Sequence, residues 1–522
     1  MADAGMAQSA RGLRSGSISF VQSTAIGLAS TAPAYSLAAT LGFVVALVGP
    51  QTLLLVPLAF IPMFFSSWAN KEMNRADPDC GTSFTWAARA LGPRTGWYFG
   101  GWGTIASALL AMASYSQITG QYLFLFVGAK HIGDDATSVW VLLVGLLFIA
   151  GLTYLCYRGI QVSARIQVAL LVLEILLLTL MSIVALVKYL TGHAPAGHGT
   201  FSWSWLNPAH FASPSIFMAG MLLMVFIYWG WDTTVSVNEE TADADRIPGT
   251  AGVLSTVILL VTYFMVILSV QLFAGFGTKG IGLGNTSNTN DVLSPLGSAI
   301  FGTSALGTVL ARLLLLMVMS SSAATAMTTI LPNARTTLSM AFHKALPPIF
   351  GRIHPRYLTP TFSTISFAVI SGVMYVAINW LSGGNVIADS VTATTFFVAM
   401  YLGITGFACT WFYRRSLLTS QRSFWLRGVF PALSGIMLFA ILGWSVYFYT
   451  DPDQSYTSWH LPFWPHWTIG GVLTIGIITA FIGLAWMLSL QRSHRAFFSG
   501  ETLRDGVSIT DDDRVVRVSA DG

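Results

Sequence analysis

The chain has 522 residues, of which 54% are hydrophobic and only 9% are charged, and its mean hydropathy is +0.66. A water-soluble domain carries roughly 25% charged residues, so this composition excludes that class and predicts a membrane protein. The formal charge of +4 is small, and the placement of the charges along the chain is more informative than their sum.

Common cofactor and metal motifs are missing from the sequence. Its three cysteines, Cys80, Cys156 and Cys409, are too scattered for a disulfide framework or a metal site. His193 and His198 share one loop that offers no further ligand, and neither a Walker motif nor a dinucleotide-binding glycine motif is present. We therefore expect no cofactor, no metal ion and no nucleic acid partner. The apolar run after Ser17 is too long for a cleavable signal peptide.

Apolar runs of roughly the 20 residues that cross a bilayer recur about twelve times, and we number them spans 1 to 12. They cover residues 18–48, 52–69, 97–127, 138–157, 163–190, 214–237, 251–275, 305–331, 360–381, 389–412, 428–449 and 467–490. The pattern predicts an all-α polytopic membrane protein with about twelve transmembrane helices.

Basic residues mark one side of this predicted bundle. Its loops and tails carry Arg11, Arg14, Lys71, Arg75, Arg89, Arg94, Arg158, Arg165, Arg246, Arg335, Lys344, Arg352, Arg356, Arg414, Arg415, Arg422, Arg427 and the arginines from 492 to 517. The other side keeps only Lys130, Lys188 and Lys279. Because positive charge favours the cytoplasmic side, we expect a cell-membrane protein with both termini in the cytoplasm.

Span 1 contains a proline among small residues, in the segment GLASTAPAYSL at 27–37. Pro33 lacks a backbone donor and pushes the preceding residue away from helical dihedral angles. The alternative to a broken helix is a proline kink in a continuous one.

Span 6 contains the segment IYWGWDTT at 227–234. Gly230 tolerates non-helical dihedral angles, and the charged Asp232 follows two positions later. The alternative is that the membrane ends at Gly230 and that Trp229 and Trp231 form an interfacial belt.

The two interruptions occupy corresponding positions if spans 1–5 and 6–10 are repeats, and such a pairing indicates a transporter site. Broken helices present a helix N-terminus to a carboxylate and free carbonyls to an ammonium group. This chemistry fits a zwitterionic substrate.

Four stretches resemble conserved segments of the amino acid–polyamine–organocation (APC) superfamily of transporters. They are PDCGTSFTWAARALGPRTGWYFGGW at 78–102, RGIQVSARIQ at 158–167, YWGWDTTVSVNEETADADRIPGTA at 228–251 and LPPIFGRIHPRYLTP at 346–360. The sequence departs from the family at Thr82, usually a glycine, at Phe84, usually a tyrosine, and at 342–344, where an acidic residue is often found.

The resemblance implies a leucine-transporter-like fold with a 5+5 inverted repeat and two peripheral helices. The chain then divides into an N-terminal tail (1–17), a first repeat (18–190), a second repeat (214–412), two further helices (428–490) and a disordered cytoplasmic tail (491–522). The implied substrate contacts are Ser30, Thr31, Ala32 and Pro33 of span 1 and Tyr228, Trp229, Gly230 and Trp231 of span 6.

An ionisable residue at membrane depth is a functional candidate by default. Glu174 of span 5 aligns with a position where several proton-coupled relatives carry a lysine in place of a sodium ion. It is therefore a candidate proton carrier, and the alternative is a permanently neutral, hydrogen-bonded side chain. Asp232 is the competing carrier, because it adjoins the break in span 6.

Arg312 of span 8 either snorkels to the membrane surface or faces the bundle, where Glu174 or Asp232 could be its counter-ion. The run Ser320 to Ser322 either helps to line an ion site or only packs helices closely. Glu239 and Glu240, after span 6, either pair with Arg11 or Arg14 or lie on a solvated helix end, and we favour the solvated end.

These features predict a secondary active transporter of an amino acid or related amine, proton-coupled or exchanging, with the lipid bilayer and protons as further partners. A substrate sensor or channel-like facilitator on the same scaffold is the alternative, but no signalling domain or polar pore ring favours it. The bundle shows no nucleophile–base pair, so we do not expect an enzyme. Tyr228, Trp229 and Trp231 are compatible with a small, an aromatic or a cationic substrate.

Overall fold

The structure is a computed structural model, and it describes residues 11–289, 291–461, 464–504, 507–509 and 515–517. The first half of the chain contains nine helices. They are α1 (Phe20–Thr31), α2 (Pro33–Val48), α3 (Thr52–Ala76), α4 (Ser83–Leu91), α5 (Pro93–Thr95), α6 (Gly103–Phe126), α7 (Lys130–Gly133), α8 (Val139–Arg158) and α9 (Ile160–Leu190). A π-helical segment, Gly96–Trp102, leads into α6.

The second half continues in the same way and contains two small strand pairs, one between α18 and α19 and one after α21. Its helices are α10 (Pro214–Tyr228), α11 (Thr233–Ser236), α12 (Ile247–Ala274), α13 (Leu293–Phe301), α14 (Ala305–Phe342), α15 (Thr361–Leu381), α16 (Val386–Phe412), α17 (Gln421–Ser423), α18 (Phe430–Phe448), α19 (Gly471–Ser493), α20 (Arg495–Phe498) and α21 (Glu501–Arg504). The antiparallel strand pairs are β1 (Ser458–Leu461) with β2 (Trp464–Gly470), and β3 (Val507–Ile509) with β4 (Val515–Arg517).

The described residues contain nine helices that are long and apolar enough to cross a membrane, and the first of these, Phe20–Ala76, includes spans 1 and 2. Span 3 corresponds to α6 and span 6 begins with α10, which has only 15 residues. Each predicted span therefore contains a helix, and the chain is a multi-pass membrane protein. The count of twelve crossings and the division into repeats stay predictions.

Helix α16 is buried along most of its length. It packs against α6, α3 and α18, and α14 packs against α6 on the other side. Helices in lipid associate through close packing rather than water exclusion, and Gly406 of α16 is so close to the Pro431 carbonyl that a Cβ atom would lie 2.4 Å from it. This central group of helices surrounds the breaks in spans 1 and 6.

Two predicted boundaries are wrong. Span 12 was expected from 467, but 467–470 belong to strand β2 and helix α19 begins at Gly471. Span 8 was expected to end at 331, but α14 continues to Phe342, because bundle contacts and an ion pair of Arg335 bury its polar last turns.

The expectation of a disordered tail is wrong for residues 491–504. Helices α20 and α21 form there, and the buried Phe497 stacks on Phe84 with ring centroids 5.5 Å apart. Arg89 also donates a hydrogen bond to the Leu503 carbonyl at 2.8 Å. The polar sequence lacks apolar periodicity, and tertiary contacts such as these, together with the hydrogen bond from Thr502 to the His343 carbonyl at 2.7 Å, order it.

Candidate functional site

Span 1 is broken at Ala32. Helix α1 ends at Thr31, Ala32 adopts φ 48° and ψ 69°, and α2 begins at Pro33. A left-handed conformation is unfavourable for a residue with a Cβ atom, whereas proline suits the first position of a helix. The predicted interruption is confirmed, and the alternative of a continuous kinked helix is wrong.

Span 6 is broken between Tyr228, where α10 ends, and Thr233, where α11 begins. Gly230 has φ 126°, a conformation that favours glycine. Trp229 and Trp231 are buried in the bundle, so the alternative of an interfacial tryptophan belt is wrong. Residues 229–232 are therefore not helical, and the predicted interruption of span 6 is confirmed.

The two breaks face each other. A Cβ atom on Gly230 would lie 2.6 Å from the carbonyl carbon and oxygen of Ser30, and the Ser30 and Thr233 hydroxyl oxygens are 2.7 Å apart. This close approach requires a glycine, because any side chain would separate the two breaks.

Hydroxyl groups satisfy the carbonyls that the breaks release, as buried polar groups require. Thr325 of α14 donates to the Ser30 carbonyl, and Ser36 donates to the Thr31 carbonyl at 2.7 Å. Tyr263 of α12 donates to the Ile227 carbonyl at 2.6 Å. Non-helical backbone is tolerated at this depth because side chains from neighbouring helices take over its hydrogen bonds.

Glu174 of α9 contacts the start of α2, directly after the break in span 1. Its side chain is buried, and Oε1 accepts hydrogen bonds from the Ala34 amide at 2.6 Å and from the Ser321 hydroxyl at 2.7 Å. The Ala34 amide belongs to the first turn of α2, where the helix dipole favours a negative charge. The carboxyl group thus joins α9, α2 and α14 at one point.

A small polar cavity lies against the breaks and has a volume of about 20 Å³, little more than the space for one water molecule. It is lined by Ser30, Thr104, Tyr115, Trp229, Gly230, Asp232, Thr233, Ser236, Thr328, Thr329, Pro332, Asn333 and Tyr401. Pro332 lies inside α14 and cannot donate to the carbonyl four residues earlier, that of Thr328.

Asp232 is the carboxylate of this cavity. Its Oδ2 accepts a hydrogen bond from the Tyr401 hydroxyl at 2.6 Å, and the same hydroxyl accepts from Trp229 Nε1 at 2.5 Å. Asp232 is partly exposed whereas Glu174 is fully buried. The two acidic groups therefore differ in access: Asp232 lines the cavity and Glu174 lies behind the helix break.

Seven of the predicted site residues lie at the cavity or at the break beside it. Ser30, Trp229, Gly230 and Asp232 line the cavity. Thr31, Ala32 and Pro33 form the backbone of the break beside it.

Tyr228 and Trp231 are directed elsewhere. Tyr228 donates to the Val56 carbonyl at 3.1 Å, and Trp231 packs beside Gly252 of α12. The prediction did not include the residues contributed by α6, α14 and α16, such as Tyr115, Thr329 and Tyr401. Pro332, directly after predicted span 8, was a sequence signal for the α14 residues alone.

Arg312 is exposed on the outside of the bundle, in the second turn of α14. The alternative in which it faces the bundle as counter-ion of Glu174 or Asp232 is therefore wrong. Its position near a helix end lets the side chain reach the membrane surface, as the snorkelling alternative expected.

A cluster of aromatic rings adjoins the cavity through its lining residues Tyr115 and Trp229. Tyr35 of α2 meets Tyr115 of α6 edge to face, with centroids 5.0 Å apart, and Phe226 lies 6.4 Å from Tyr35 and 6.1 Å from Trp229. Edge-to-face pairs of this kind are favourable.

A buried ionic cluster joins the segment before α1 to the loop between α3 and α4. Arg11 binds Asp79 Oδ2 at 2.5 Å and Glu239 Oε1 at 2.5 Å, and His343 Nε2 lies 3.1 Å from Asp79 Oδ2. Burial alone would raise the pKa of Asp79, but Arg11 and His343 hold it well below its usual range. Asp79, Cys80 and Glu239 have a spacing that a metal ion could use, but the Arg11 guanidinium already lies among them.

A second buried ion pair lies beside this cluster. Arg335 of α14 donates to both carboxylate oxygens of Glu240, at 2.5 Å and 3.0 Å. The favoured interpretation of Glu239 and Glu240 as a solvated helix end is therefore wrong, and pairing with Arg11 is correct for Glu239. The sequence predicted Arg335 to lie in a loop, because a polar helix end gives no signal of its burial.

Comparisons with known proteins agree with this geometry. The family model described as "Amino acid permease" matches residues 18–474. The branched-chain amino acid permease BcaP of Bacillus subtilis is 24% identical over 341 residues, which cover 62% of this chain and 67% of that protein. The low-affinity putrescine importer PlaP of Escherichia coli K12 is 25% identical over 215 residues, 40% of this chain and 44% of that protein.

Among solved structures, the crystal structure of MhsT in complex with L-phenylalanine has a TM-score of 0.53 and 16% sequence identity. It covers 81% of this chain and 98% of the MhsT chain. This similarity shows that the fold is leucine-transporter-like. With a family model matching most of its length, the chain belongs to the amino acid permease family of the APC superfamily.

Proposed function

We propose that this chain is a proton-coupled secondary active transporter that moves an amino acid or related amine across the cell membrane, with both termini in the cytoplasm. The observation that carries the proposal is the pair of facing helix breaks at Ala32 and Gly230, with a polar cavity against them. Paired discontinuous helices form the binding site in transporters of this construction.

The cavity chemistry supports a substrate with an ammonium group. Asp232 is the only charged residue among its lining residues within the described chain, and the other polar groups are hydroxyls, amides and a tryptophan N–H. A cation is stabilised by the carboxylate and by the rings of Tyr115, Trp229 and Tyr401. Relatives that carry branched-chain amino acids and putrescine both fit this class.

Glu174 is the proposed proton carrier. When ionised, its carboxylate is stabilised by the first turn of α2 and by Ser321. A rearrangement of the break in span 1 that removes these donors favours protonation. Proton binding is thereby linked to the position of α2, which begins directly after the break in span 1.

The experiment compares substrate uptake into proteoliposomes under an imposed proton gradient, an imposed sodium gradient and no gradient. A thermal-shift screen of amino acids and polyamines selects the substrate. Wild-type protein should accumulate substrate under the proton gradient alone. Glu174→Gln keeps an oxygen that accepts from Ala34 and Ser321, so it should fold and exchange substrate but lose proton-driven accumulation.

Asp232→Asn is the matched comparison, because it removes the charge of the other candidate carrier. It should weaken substrate binding, whereas Glu174→Gln should not. Sodium-driven accumulation, or unchanged proton-driven accumulation in Glu174→Gln, would contradict proton coupling through Glu174. Equilibration without accumulation under any gradient would instead indicate a facilitator, and binding without uptake a sensor.

A further inference from the structure

An apolar groove runs along the outside of the bundle between α8 and α15 and has a volume of about 790 Å³. It is lined by Leu146, Ile149, Ala150, Thr153, Ile365, Ala368, Val369, Gly372, Val373, Val376 and Ala377. The lone polar side chain, Thr153, donates its hydroxyl to the Ile149 carbonyl at 2.7 Å. The groove therefore offers van der Waals contacts and no free hydrogen-bonding group.

The shape of the groove follows from small residues. Gly372, Ala150, Ala368 and Ala377 leave space between the two helices, and a Cβ atom on Gly372 would only just touch Leu146 at 3.6 Å. From Ile365 to Ala377 the groove follows α15 for about 18 Å at the helical rise. One leaflet of a bilayer has a hydrocarbon thickness of roughly 15 Å, so the groove matches the length of one acyl chain.

Two arginines lie beyond the lining residues at one end of the groove, Arg158 after Thr153 on α8 and Arg356 before Ile365 on α15. Arg158 ends α8, and its guanidinium carbon is 5.4 Å from the centre of the Tyr357 ring. The guanidinium carbon of Arg356 is 5.7 Å from the same ring. Both arginines are exposed, and no carboxylate in the described chain forms an ion pair with either.

The loop that carries Arg356 is held in place by His354. Nδ1 of His354 accepts hydrogen bonds from the backbone amides of Arg356 and Tyr357, each at 3.1 Å. Its ring also stacks on Tyr357, with centroids 4.6 Å apart. Two positive charges are thus held on one phenol ring, where an anion between them would relieve their repulsion.

We propose that the groove and the two arginines form a binding site for one anionic phospholipid, with an acyl chain between α8 and α15 and the phosphate between Arg158 and Arg356. Basic residues at the ends of transmembrane helices recognise anionic headgroups. The apolar groove selects a lipid over a soluble phosphate. The site is separate from the substrate cavity and does not depend on the proposed transport activity.

The test measures lipid binding to the purified full-length protein by native mass spectrometry. The probes are phosphatidylglycerol and phosphatidylcholine with identical acyl chains, and inorganic phosphate alone. We expect phosphatidylglycerol to bind more tightly than phosphatidylcholine. Each of Arg158→Gln and Arg356→Gln should weaken phosphatidylglycerol binding about fivefold and leave phosphatidylcholine binding unchanged.

Two further variants test the location of the site. Arg414→Gln is the matched control, because Arg414 is also exposed and lies 4.6 Å from the ring of Trp411 but borders no such groove. It should leave phosphatidylglycerol binding unchanged. Gly372→Leu fills the groove and should weaken both lipids, with the melting temperature of each variant confirming that it is folded.

Several results would overturn the proposal. Equal affinity for the two lipids would remove the role of the arginines. An equal loss in Arg414→Gln would show nonspecific attraction to basic residues, and unchanged binding in a folded Gly372→Leu variant would place the lipid elsewhere. Displacement of phosphatidylglycerol by millimolar inorganic phosphate would show that the acyl chain contributes nothing.

Discussion

Gly230 and Ser30 touch through their backbones, and this contact joins the breaks of spans 1 and 6. A Cβ atom at Gly230 would lie 2.6 Å from the Ser30 carbonyl, and Gly230 has φ 126°. Gly230→Ala therefore adds a steric conflict and an unfavourable backbone conformation, each on the order of 1–3 kcal/mol. We expect substrate binding and uptake to be lost, and the melting temperature measures the accompanying destabilisation.

Gly128→Ala is the control for this prediction. Gly128 also has a positive φ, of 86°, but nothing lies within 4 Å of its Cβ position. Gly128→Ala should therefore lower stability only through its unfavourable backbone conformation and should leave uptake unchanged. Normal uptake by Gly230→Ala would show that the breaks need not touch.

Two arginines of α14 should respond very differently to substitution by leucine. Arg335 is buried and bonded to both oxygens of Glu240, so Arg335→Leu leaves a carboxylate unpaired at a cost on the order of 3–5 kcal/mol. Arg312 is exposed, so Arg312→Leu should change stability by about 0.5 kcal/mol or less. The melting temperature and expression level of each variant measure its stability. Similar losses of stability in the two variants would contradict the assigned environments.

The Tyr401 hydroxyl should position the groups that bind substrate. It donates to Asp232 at 2.6 Å and accepts from Trp229 at 2.5 Å. Tyr401→Phe leaves both partners without this bond, a cost on the order of 1–3 kcal/mol, and should weaken substrate binding. Isothermal titration with the substrate found in the screen measures the change.

Tyr375→Phe provides the matched comparison. Its hydroxyl is buried and donates to Gln117 at 2.8 Å, but Tyr375 does not line the cavity. It should lower stability without altering substrate affinity. An equal loss of affinity in both variants would assign Tyr401 a structural role only.

Asp291 should make stability depend on pH. It lies in the loop before α13, accepts a hydrogen bond from Tyr122 and has its pKa raised to about 6, chiefly by burial. The folded protein thus keeps a proton that the unfolded chain, with a pKa of about 3.9, has released. Stability should fall as pH rises from about 4 to about 6 and then level off.

Asp291→Asn keeps an acceptor for Tyr122 and has no titrating group, so it should remove this part of the pH dependence. Melting temperatures of both proteins between pH 4 and pH 7 provide the measurement. A slope of the same size in the variant would assign the pH dependence to other groups.

The sequence by itself determined the class of protein and the two breaks. Twelve apolar runs with 9% charged residues leave only a membrane bundle, because backbone polar groups in lipid must bond within helices. Pro33 and Gly230 indicated the breaks, since proline and glycine change the allowed dihedral angles locally. The class of protein and the two breaks depend only on short segments of neighbouring residues, so the sequence alone is enough to predict them.

Only the tertiary structure decided which side chains meet at the breaks. Glu174 reaches the first turn of α2 across 140 positions of sequence, and Tyr401 reaches Asp232 across 169. The tertiary structure also shows that Arg312 lies outside the bundle and that Glu240 is buried against Arg335. The direction of a side chain depends on the rotation of its helix, and packing against the other helices sets that rotation. Periodicity in an almost uniformly apolar helix contains too little information to predict it.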